Sequence, residues 1–483
     1  ILVVGGGTAG RLTAAELAAG HNARQDSGEQ ITLIESPEEA TIGVGEGTWP
    51  SMRDTLRKIW VSERDFIREC SASFKQGSKF VGWRTGTDEE FYYHPFSLPQ
   101  GYLQTNLVPY WQSEHGDMSF AAAFSTQEAL CQLGRAPKQP ATPDFAAVAN
   151  YAYHLDAGKF ATFLQKHCTE KLGVRHVLDH VAGVNASPEG DIASLATRGS
   201  GDIAADLFID CTGVASLLLG KHFGVPFISQ KDVLFNDRAI AMQVPYAQDN
   251  DTISSATIAT ARDAGWIWDI GLPSRRGVGY VYSGDQATDD EAEATLRRYV
   301  LADPRSCPAD DIVARKLTFN PGFRQKFWHR NCVAVGMSAG FIEPLEASAI
   351  ALVELSAAMI RDELPANRAV MATVAKRFNE RFSYRWERII EFLKLHYVLT
   401  HRTDTAYWRD HCTRESIPER LAGLMELWRY QPPSRYDLVQ TEEIFPSASY
   451  QYVLYGMGFK TEPRATSCSR DDFEMAHKYF REN

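Results

Sequence analysis

Ile1-Leu-Val-Val-Gly5-Gly6-Gly7-Thr8-Ala9-Gly10, with Arg11-Leu-Thr-Ala-Ala-Glu-Leu-Ala-Ala19 behind it, decides the architecture. Four apolar residues read as a buried strand, and the stretch after the glycines is rich in strong helix formers. The glycine run is therefore a G-x-G-x-x-G turn between a strand and a helix. Gly5 permits the turn, Gly7 lets the backbone approach a pyrophosphate, and Gly10 lets the helix pack on the strand. The helix N-terminus then faces the negative charge. Ile31-Thr-Leu-Ile34 reads as a second strand that ends in Glu35, 25 residues past Gly10. A carboxylate there accepts hydrogen bonds from both ribose hydroxyls of an adenine dinucleotide.

The glycine motif does not separate NAD from FAD, but two later segments favour FAD. Asp206-Leu-Phe-Ile-Asp210-Cys-Thr-Gly213 is a strand ending in Asp-x-x-Gly, as in flavoproteins of the two-dinucleotide-fold type. Asp210 is expected to reach the ribityl chain; the alternative is a buried strand with a polar exit. Ile42-Gly-Val-Gly45-Glu46-Gly47-Thr48-Trp49-Pro50 is too glycine-rich and too apolar for an ordinary surface loop. It is expected to lie as a strap along the ring system.

The expected fold class is α/β: a Rossmann-like FAD-binding fold of the two-dinucleotide, aromatic-hydroxylase type, with a β-rich insertion and a helical C-terminal substrate cap. The FAD module is expected over 1–360, with a substrate-loop region at 83–150 and an antiparallel sheet at 237–284. The cap is expected over 361–483. Residues 51–82 read as mostly helical, 158–171 as an amphipathic helix, and 174–184, 206–210 and 331–336 as strands. A helix is expected from about 346 to 362, and 366–430 as nearly all helical. Residues 133–144 read as a polar surface loop.

Composition narrows the function. The 483 residues are 44% hydrophobic and 23% charged, which excludes a disordered or fibrous chain. Net charge is −11, a poor basis for collecting nucleic acid or anionic membrane. Eight scattered cysteines form no C-x-x-C pair, so no metal site is expected. No apolar run reaches the roughly 18 residues that span a bilayer, and no signal peptide is visible, so cytoplasm is the expected location. The chain carries 10 Trp, 19 Tyr and 25 Phe, enough both to fill a core and to line a pocket for a flat substrate.

Gly265-Trp266-Ile267-Trp268-Asp269-Ile270 places two indoles on one face of a strand. Core packing accounts for part of this. Here the sequence resembles the tryptophan-halogenase family of flavin-dependent halogenases, whose signature is Trp-x-Trp-x-Ile-Pro. Trp266, Trp268 and Ile270 match; Gly271 stands where the proline is expected. Further matches are Gly5–Gly10, Gly43–Thr48, Phe74-Lys-Gln-Gly-Ser-Lys79-Phe80, Tyr93-His94-Pro95-Phe96 and Tyr153-His154-Leu-Asp156. Asp206–Gly213, Phe341-Ile-Glu-Pro-Leu-Glu346 and Arg402-Thr-Asp404 complete a set that spans about 400 residues in family order.

The resemblance implies a reaction in which reduced flavin and O₂ oxidise halide to hypohalous acid, which halogenates an electron-rich ring. It identifies Lys79 with the family's essential lysine; the residues alone read as a snorkelling or partly buried amine. It identifies Glu346 with a second catalytic residue, either orienting Lys79 and the oxidant or removing the ring proton. Glu343 is expected on the same face of a regular helical turn. The amides of Ser348 and Ala349, at the start of a helix, are implied as the halide site; the family usually has Thr and Gly there, which leaves chloride and bromide both open. Cofactor contacts are implied for Gly5, Gly7, Thr8, Ala9, Gly10, Glu35, Gly45, Glu46, Val181, Asp210, Gly213 and Ile350.

His94 and Phe96 resemble the pair that sandwiches an indole. Tyr450 and Tyr452 fall in the substrate segment, where Gln451 replaces the second tyrosine of the family's amino-acid clamp. The expected substrate is therefore indole, a substituted indole or a similar heteroaromatic rather than free tryptophan. Arg11 stands where the family commonly has Trp, and the sequence gives no account of it. The expected partners are a separate flavin reductase, which supplies FADH₂, and a small aromatic substrate. Monomer and homodimer both stay open. The alternative activity is a flavin-dependent aromatic hydroxylase, from which the Trp-x-Trp-x-Ile match and Lys79 separate this chain.

Overall fold

The computed structural model describes residues 1–21, 29–38, 45–248, 250–307, 312–462 and 469–483. These form two compact units, each built from three separate stretches: 1–72, 153–230 and 319–386, and 73–152, 231–318 and 387–483. The expected substrate-loop region 83–150 and the sheet region 237–284 both belong to the second unit.

The first unit is organised by a six-stranded sheet. Its order is Trp328–His329, Cys332–Ala334, Phe208–Asp210, Leu2–Val4, Thr32–Glu35 and Arg175–Leu178. All neighbours are parallel except the outer pair, 328–329 with 332–334. The first strand is fully buried, as its continuous apolar run requires. Helix Thr8–His21 follows it and buries Leu12, Ala14, Ala15, Leu17 and Ala18 completely. Removing each leucine from water contributes about 2 kcal/mol. The expected 174–184 strand is two elements: 175–178 in this sheet, and Val181–Ala186 in a small antiparallel sheet with Ile192–Thr197 and Asp202–Ala204.

The second unit is organised by a seven-stranded sheet. Its order is Arg315–Thr318, Arg238–Pro245, Arg275–Tyr282, Gly265–Gly271, Thr257–Arg262, Gly77–Val81 and Phe91–Pro95. Only 257–262 and 77–81 run parallel. Helix Asp289–Ala302, started by a Thr288–Glu291 capping box, lays Ala292, Leu296 and Val300 on one face of this sheet. There they pack with Ile240, Met242, Val278 and Tyr280.

Residues 51–82 are not mostly helical. Helices end at Glu69, and Ser73–Lys75 and Gly77–Val81 are strands. The β-branched and aromatic content of Phe74–Trp83 outweighs the helical start, so Lys79 lies within a strand rather than after a helix. The helix expected from 346 begins at Ser348 and ends at Asp362. The 366–430 region contains helices Arg368–Val398, Ala406–His411 and Glu419–Trp428. No described helix is long and apolar enough to cross a membrane.

Candidate functional site

The glycine turn of the first unit is shaped for close approach. Gly5 has φ +115°, and a Cβ there would meet the Cys211 carbonyl oxygen at 2.2 Å. A Cβ on Gly10 would lie 1.8 Å from the Gly5 carbonyl oxygen. Neither position admits alanine without moving backbone. Gly7 differs, because a Cβ there would meet nothing within 4 Å. That open space lies at the start of helix 8–21, in whose first turn Thr8 and Ala9 stand and where unpaired N–H groups favour an anion.

Glu35 ends the second strand, as expected, and is buried among donors. Its Oε2 accepts from Arg11 Nη2 at 2.8 Å, and its Oε1 is 2.7 Å from His176 Nε2. Arg11 thus has a structural account: it pairs with the carboxylate at the end of the neighbouring strand. Its Nε is buried without a partner.

Asp210, like Glu35, has both carboxylate oxygens engaged by neighbouring donors. Its Oδ1 accepts from the Thr212 amide and hydroxyl, and its Oδ2 from the amides of Leu218 and Leu219 at 2.9 and 2.8 Å. The carboxylate caps the short helix Leu217–His222, which is the alternative reading of a buried strand with a polar exit. Gly213 is at φ +64° with open space where a Cβ would be. Val181 opens its strand, half-buried and paired with Thr197.

Residues 42–44 of the strap lie outside the described residues. From Gly45 it is ordered as a strand, Gly45–Gly47, against 154–156, so Gly45 faces Asp156. Desolvation pushes the Glu46 carboxyl up to about 7. Thr48 hydroxyl donates to the Tyr153 carbonyl, and Trp49 Nε1 donates to the Glu346 carbonyl at 2.7 Å.

The Glu346 turn is not a regular helical turn. Glu346 has φ 64° and Ala347 φ 56°, both left-handed. Two consecutive non-glycine residues in that region store roughly 1–3 kcal/mol each. Glu343 and Glu346 therefore do not share a helical face in the expected way. The helix starts after them, so Ser348 and Ala349 occupy its first turn with unpaired amides, and Ile350 is buried just beyond.

In the second unit, strand register sorts the expected residues onto two faces. Lys79 pairs with Tyr93, and Ser78 with His94. Alternation then puts Lys79 on one face and His94 on the other. The register continues across the sheet: Lys79 is level with Ile258 and Asp269, whereas Phe80 is level with Ala259 and Trp268. Trp266, Trp268 and Ile270 therefore share the His94 face, opposite Lys79. Lys79 lies on the face covered by helix 289–302 and lines a cavity of about 760 Å³ with Arg262, Arg298 and Tyr299. Its ammonium stands over Phe91 at 4.3 Å and Tyr93 at 5.8 Å. Burial lowers its pKa, partly opposed by Glu128.

The His94 face gathers the ring residues. His94 Nε2 lies 2.9 Å from Ser449 Oγ on helix Ser447–Gly456, and its ring is 5.7 Å from Phe392 and 6.1 Å from Tyr452. Tyr452 hydroxyl donates to the Ser97 carbonyl. Tyr450 packs against Phe392 and Trp428. Gln451 turns away and donates to the Pro433 carbonyl at 2.8 Å. Trp266 is 6.3 Å from Trp83, and Trp268 lies across Gly279, so both indoles also pack the core.

A second lysine was hidden in the same sequence segment. Lys75 is only 1% exposed, and its ammonium lies 5.4 Å from the centroid of Phe96, the other expected ring contact. Lys75 and Lys79 are four apart, which in one continuous strand would place them on the same face. Gln76 lies between the two strands and Gly77, at φ +152°, opens the second, so that count does not apply. Among the described residues no cluster of His, Cys, Asp and Glu is arranged to hold a metal.

The family model for tryptophan halogenases matches residues 1–470. A 7-chloro-L-tryptophan 6-halogenase from a Kutzneria species is 35% identical, over 99% of this chain and 94% of that protein. A tryptophan 7-halogenase from Lentzea aerocolonigenes is 35% identical, over 85% of this chain and 78% of that protein. The crystal structure of a tryptophan halogenase from Shewanella frigidimarina superposes with a TM-score of 0.96 at 52% identity, covering 100% of this chain and 93% of that one. With the nucleotide cradle in one unit and the aromatic compartment in the other, this chain belongs to the tryptophan halogenase family and is a flavin-dependent halogenase.

Proposed function

We propose that the chain uses FADH₂ from a separate flavin reductase, O₂ and halide to halogenate an electron-rich indole-type ring, and that Lys75 rather than Lys79 presents the oxidant. The observation that carries this reading is the buried Lys75 ammonium beside the Phe96 ring. The open face at Gly7, bounded by glycines that admit no side chain, fits a pyrophosphate, and Glu35 fits its ribose. Bound reduced flavin supplies, with O₂, the oxidising equivalents that turn halide into hypohalous acid.

The chain's own residues do the rest. The first-turn amides of Ser348 and Ala349 hold the halide, and backbone donors serve chloride and bromide alike. In the dry aromatic surroundings of Lys75 an ammonium donates a hydrogen bond to the oxygen of hypohalous acid, or the free amine takes the halogen as an N-haloamine. Either way the ring carbon receives the halogen, the ring loses a proton, and water is the other product. Enclosure keeps the oxidant from Met and Cys side chains. Glu346, held by Trp49 through its carbonyl, is proposed as the second catalytic residue.

For the substrate, the ring walls at His94, Phe96 and Tyr452 are retained, while Gln451 is engaged with Pro433 and offers no clamp to an amino acid. This favours indole or a substituted indole. The names of the relatives favour L-tryptophan as a second reading. Mass spectrometry of reactions supplied with FADH₂, both halides, indole, L-tryptophan and a phenol tests the reading. Halogenated indole as the main product is expected. A clearly higher kcat/KM for tryptophan refutes the preference, and hydroxylated products without halogen refute the reaction.

A further inference from the structure

The helix that starts beneath the Glu346 turn carries a carboxyl the reaction does not use. Glu354 lies two turns in, is 3% exposed, and faces helix Met52–Lys58, which directly follows the strap. Thr55 hydroxyl donates to its Oε1 at 2.6 Å and Ser51 hydroxyl to its Oε2 at 3.2 Å. Ser51 occupies the N-cap position of helix 52–58 yet makes no side-chain cap; its hydroxyl goes to Glu354. Two residues earlier, Trp49 grips the Glu346 carbonyl. The strap end is therefore fastened at both ends of one segment: to the left-handed turn through Trp49, and to the helix behind that turn through Ser51 and Thr55.

We propose that Glu354 is a positioning residue: through Ser51 and Thr55 it latches the strap to the strained Glu346–Ala347 turn and so holds the first-turn amides of the following helix in place. Its effect on halide affinity rests on the reading of that turn as the halide site; the latch itself does not. A neutral acid suits the task. No cation pairs with Glu354 at ion-pair distance among the described residues. Burial pushes its carboxyl up to about 8, and the two hydroxyls only partly oppose this. The charged groups that face it are Glu16 from helix 8–21, which pushes the same way, and Lys58 from helix 52–58, which opposes. Arg361, on Glu354's own helix, is engaged with Glu16 and Asp362. An ionised Glu354 would be desolvated without a counter-ion and would set negative charge inside the helix whose N-terminus is to hold an anion.

The test compares full-length wild type, E354Q, E354A and T55V. Two readouts are taken: hydrogen exchange of residues 49–58 without halide, and KM and kcat for bromide at about pH 7 and about pH 9. E354A is expected to raise strap exchange about tenfold and bromide KM about fivefold, with kcat near wild type. E354Q is expected to match wild type at neutral pH and to keep its bromide KM at the alkaline pH where wild type loses affinity. T55V, which keeps the acid and removes one donor, moves in the direction of E354A and serves if E354A fails to fold. Wild-type exchange in both E354A and T55V overturns the latch, as does an E354Q protein that behaves like E354A. Raised exchange with unchanged bromide KM upholds the latch and refutes the halide reading of the turn.

Discussion

Lys79 and His94 occupy adjacent strands of one sheet and point to opposite faces of it. A ring held against His94 is screened from Lys79 by the sheet backbone. Lys75 has no such barrier to Phe96. Lys75→Ala is therefore expected to lower halogenation by at least about a hundredfold, the scale of losing a group that acts on the reacting atoms. Lys79→Ala should stay within about threefold, because Lys79 is half-buried on the sheet face opposite the ring residues and away from the reacting atoms. Rates with supplied FADH₂ decide it. The reverse ranking would restore Lys79 to the chemistry.

Arg11 and Glu35 form a buried pair with side-chain exposures of 11% and 8%. Arg11→Ala leaves a buried carboxylate whose remaining side-chain hydrogen-bond partners are His176 and Gln165. Loss of one partner of a buried pair costs about 3 kcal/mol. Denaturant unfolding should show a loss of that order, and FAD titration should show affinity lowered roughly tenfold as the carboxylate shifts from the ribose subsite. Unchanged FAD affinity would separate Arg11 from cofactor binding.

Glu354 makes stability pH-dependent. Its folded-state pKa is raised from 4.5 to about 8, so the folded chain binds the proton more tightly than the unfolded chain. The contribution is complete below the unfolded pKa and is lost as pH rises through the folded one. Tm should fall between about pH 5 and about pH 8, and E354Q should flatten that fall. Glu46, raised to about 7, slopes the same way. A Tm that rises across this window in wild type would contradict both.

Gly279 is where the Trp268 indole crosses the neighbouring strand. A Cβ there would lie 2.1 Å from the ring. Gly279→Ala must displace Trp268, at a cost of about 1–3 kcal/mol. Near-ultraviolet circular dichroism should change with the indole's surroundings, while FAD binding, proposed for the first unit, is expected to persist. An unaltered aromatic spectrum would show that the strand gives way instead.

The strand, glycine turn and helix at the start of the chain were legible because they are local, following one another within twenty residues, and Gly5 and Gly10 each have a steric reason. The paired indoles were legible for the same reason, since a period of two fixes their face. The sequence reading singled out Lys79 and passed over Lys75, because which lysine is buried depends on a strand break at Gln76 and on pairing with residues far away in sequence. Asp210 looked outward from the sequence; only the fold of Ser216–Leu219 brings the amides that take its oxygens. The left-handed Glu346–Ala347 turn breaks the usual backbone preference for non-glycine residues, so composition pointed to a helix two residues too early. Arg11 acquired its explanation from a strand 24 residues away.

The contact between His94 and Ser449 joins residues 355 apart in sequence. Such long-range closure forms slowly and late, and the first unit has its own, since Leu2–Val4 pairs with Phe208–Asp210 and Gly5 packs against Cys211. Each unit thus closes through its own distant pairings, and the two are expected to form as separate steps as the chain folds. A batch of protein rescued from poor refolding is expected to contain molecules that take up flavin yet bind no aromatic substrate, so flavin content overstates the number of competent enzymes.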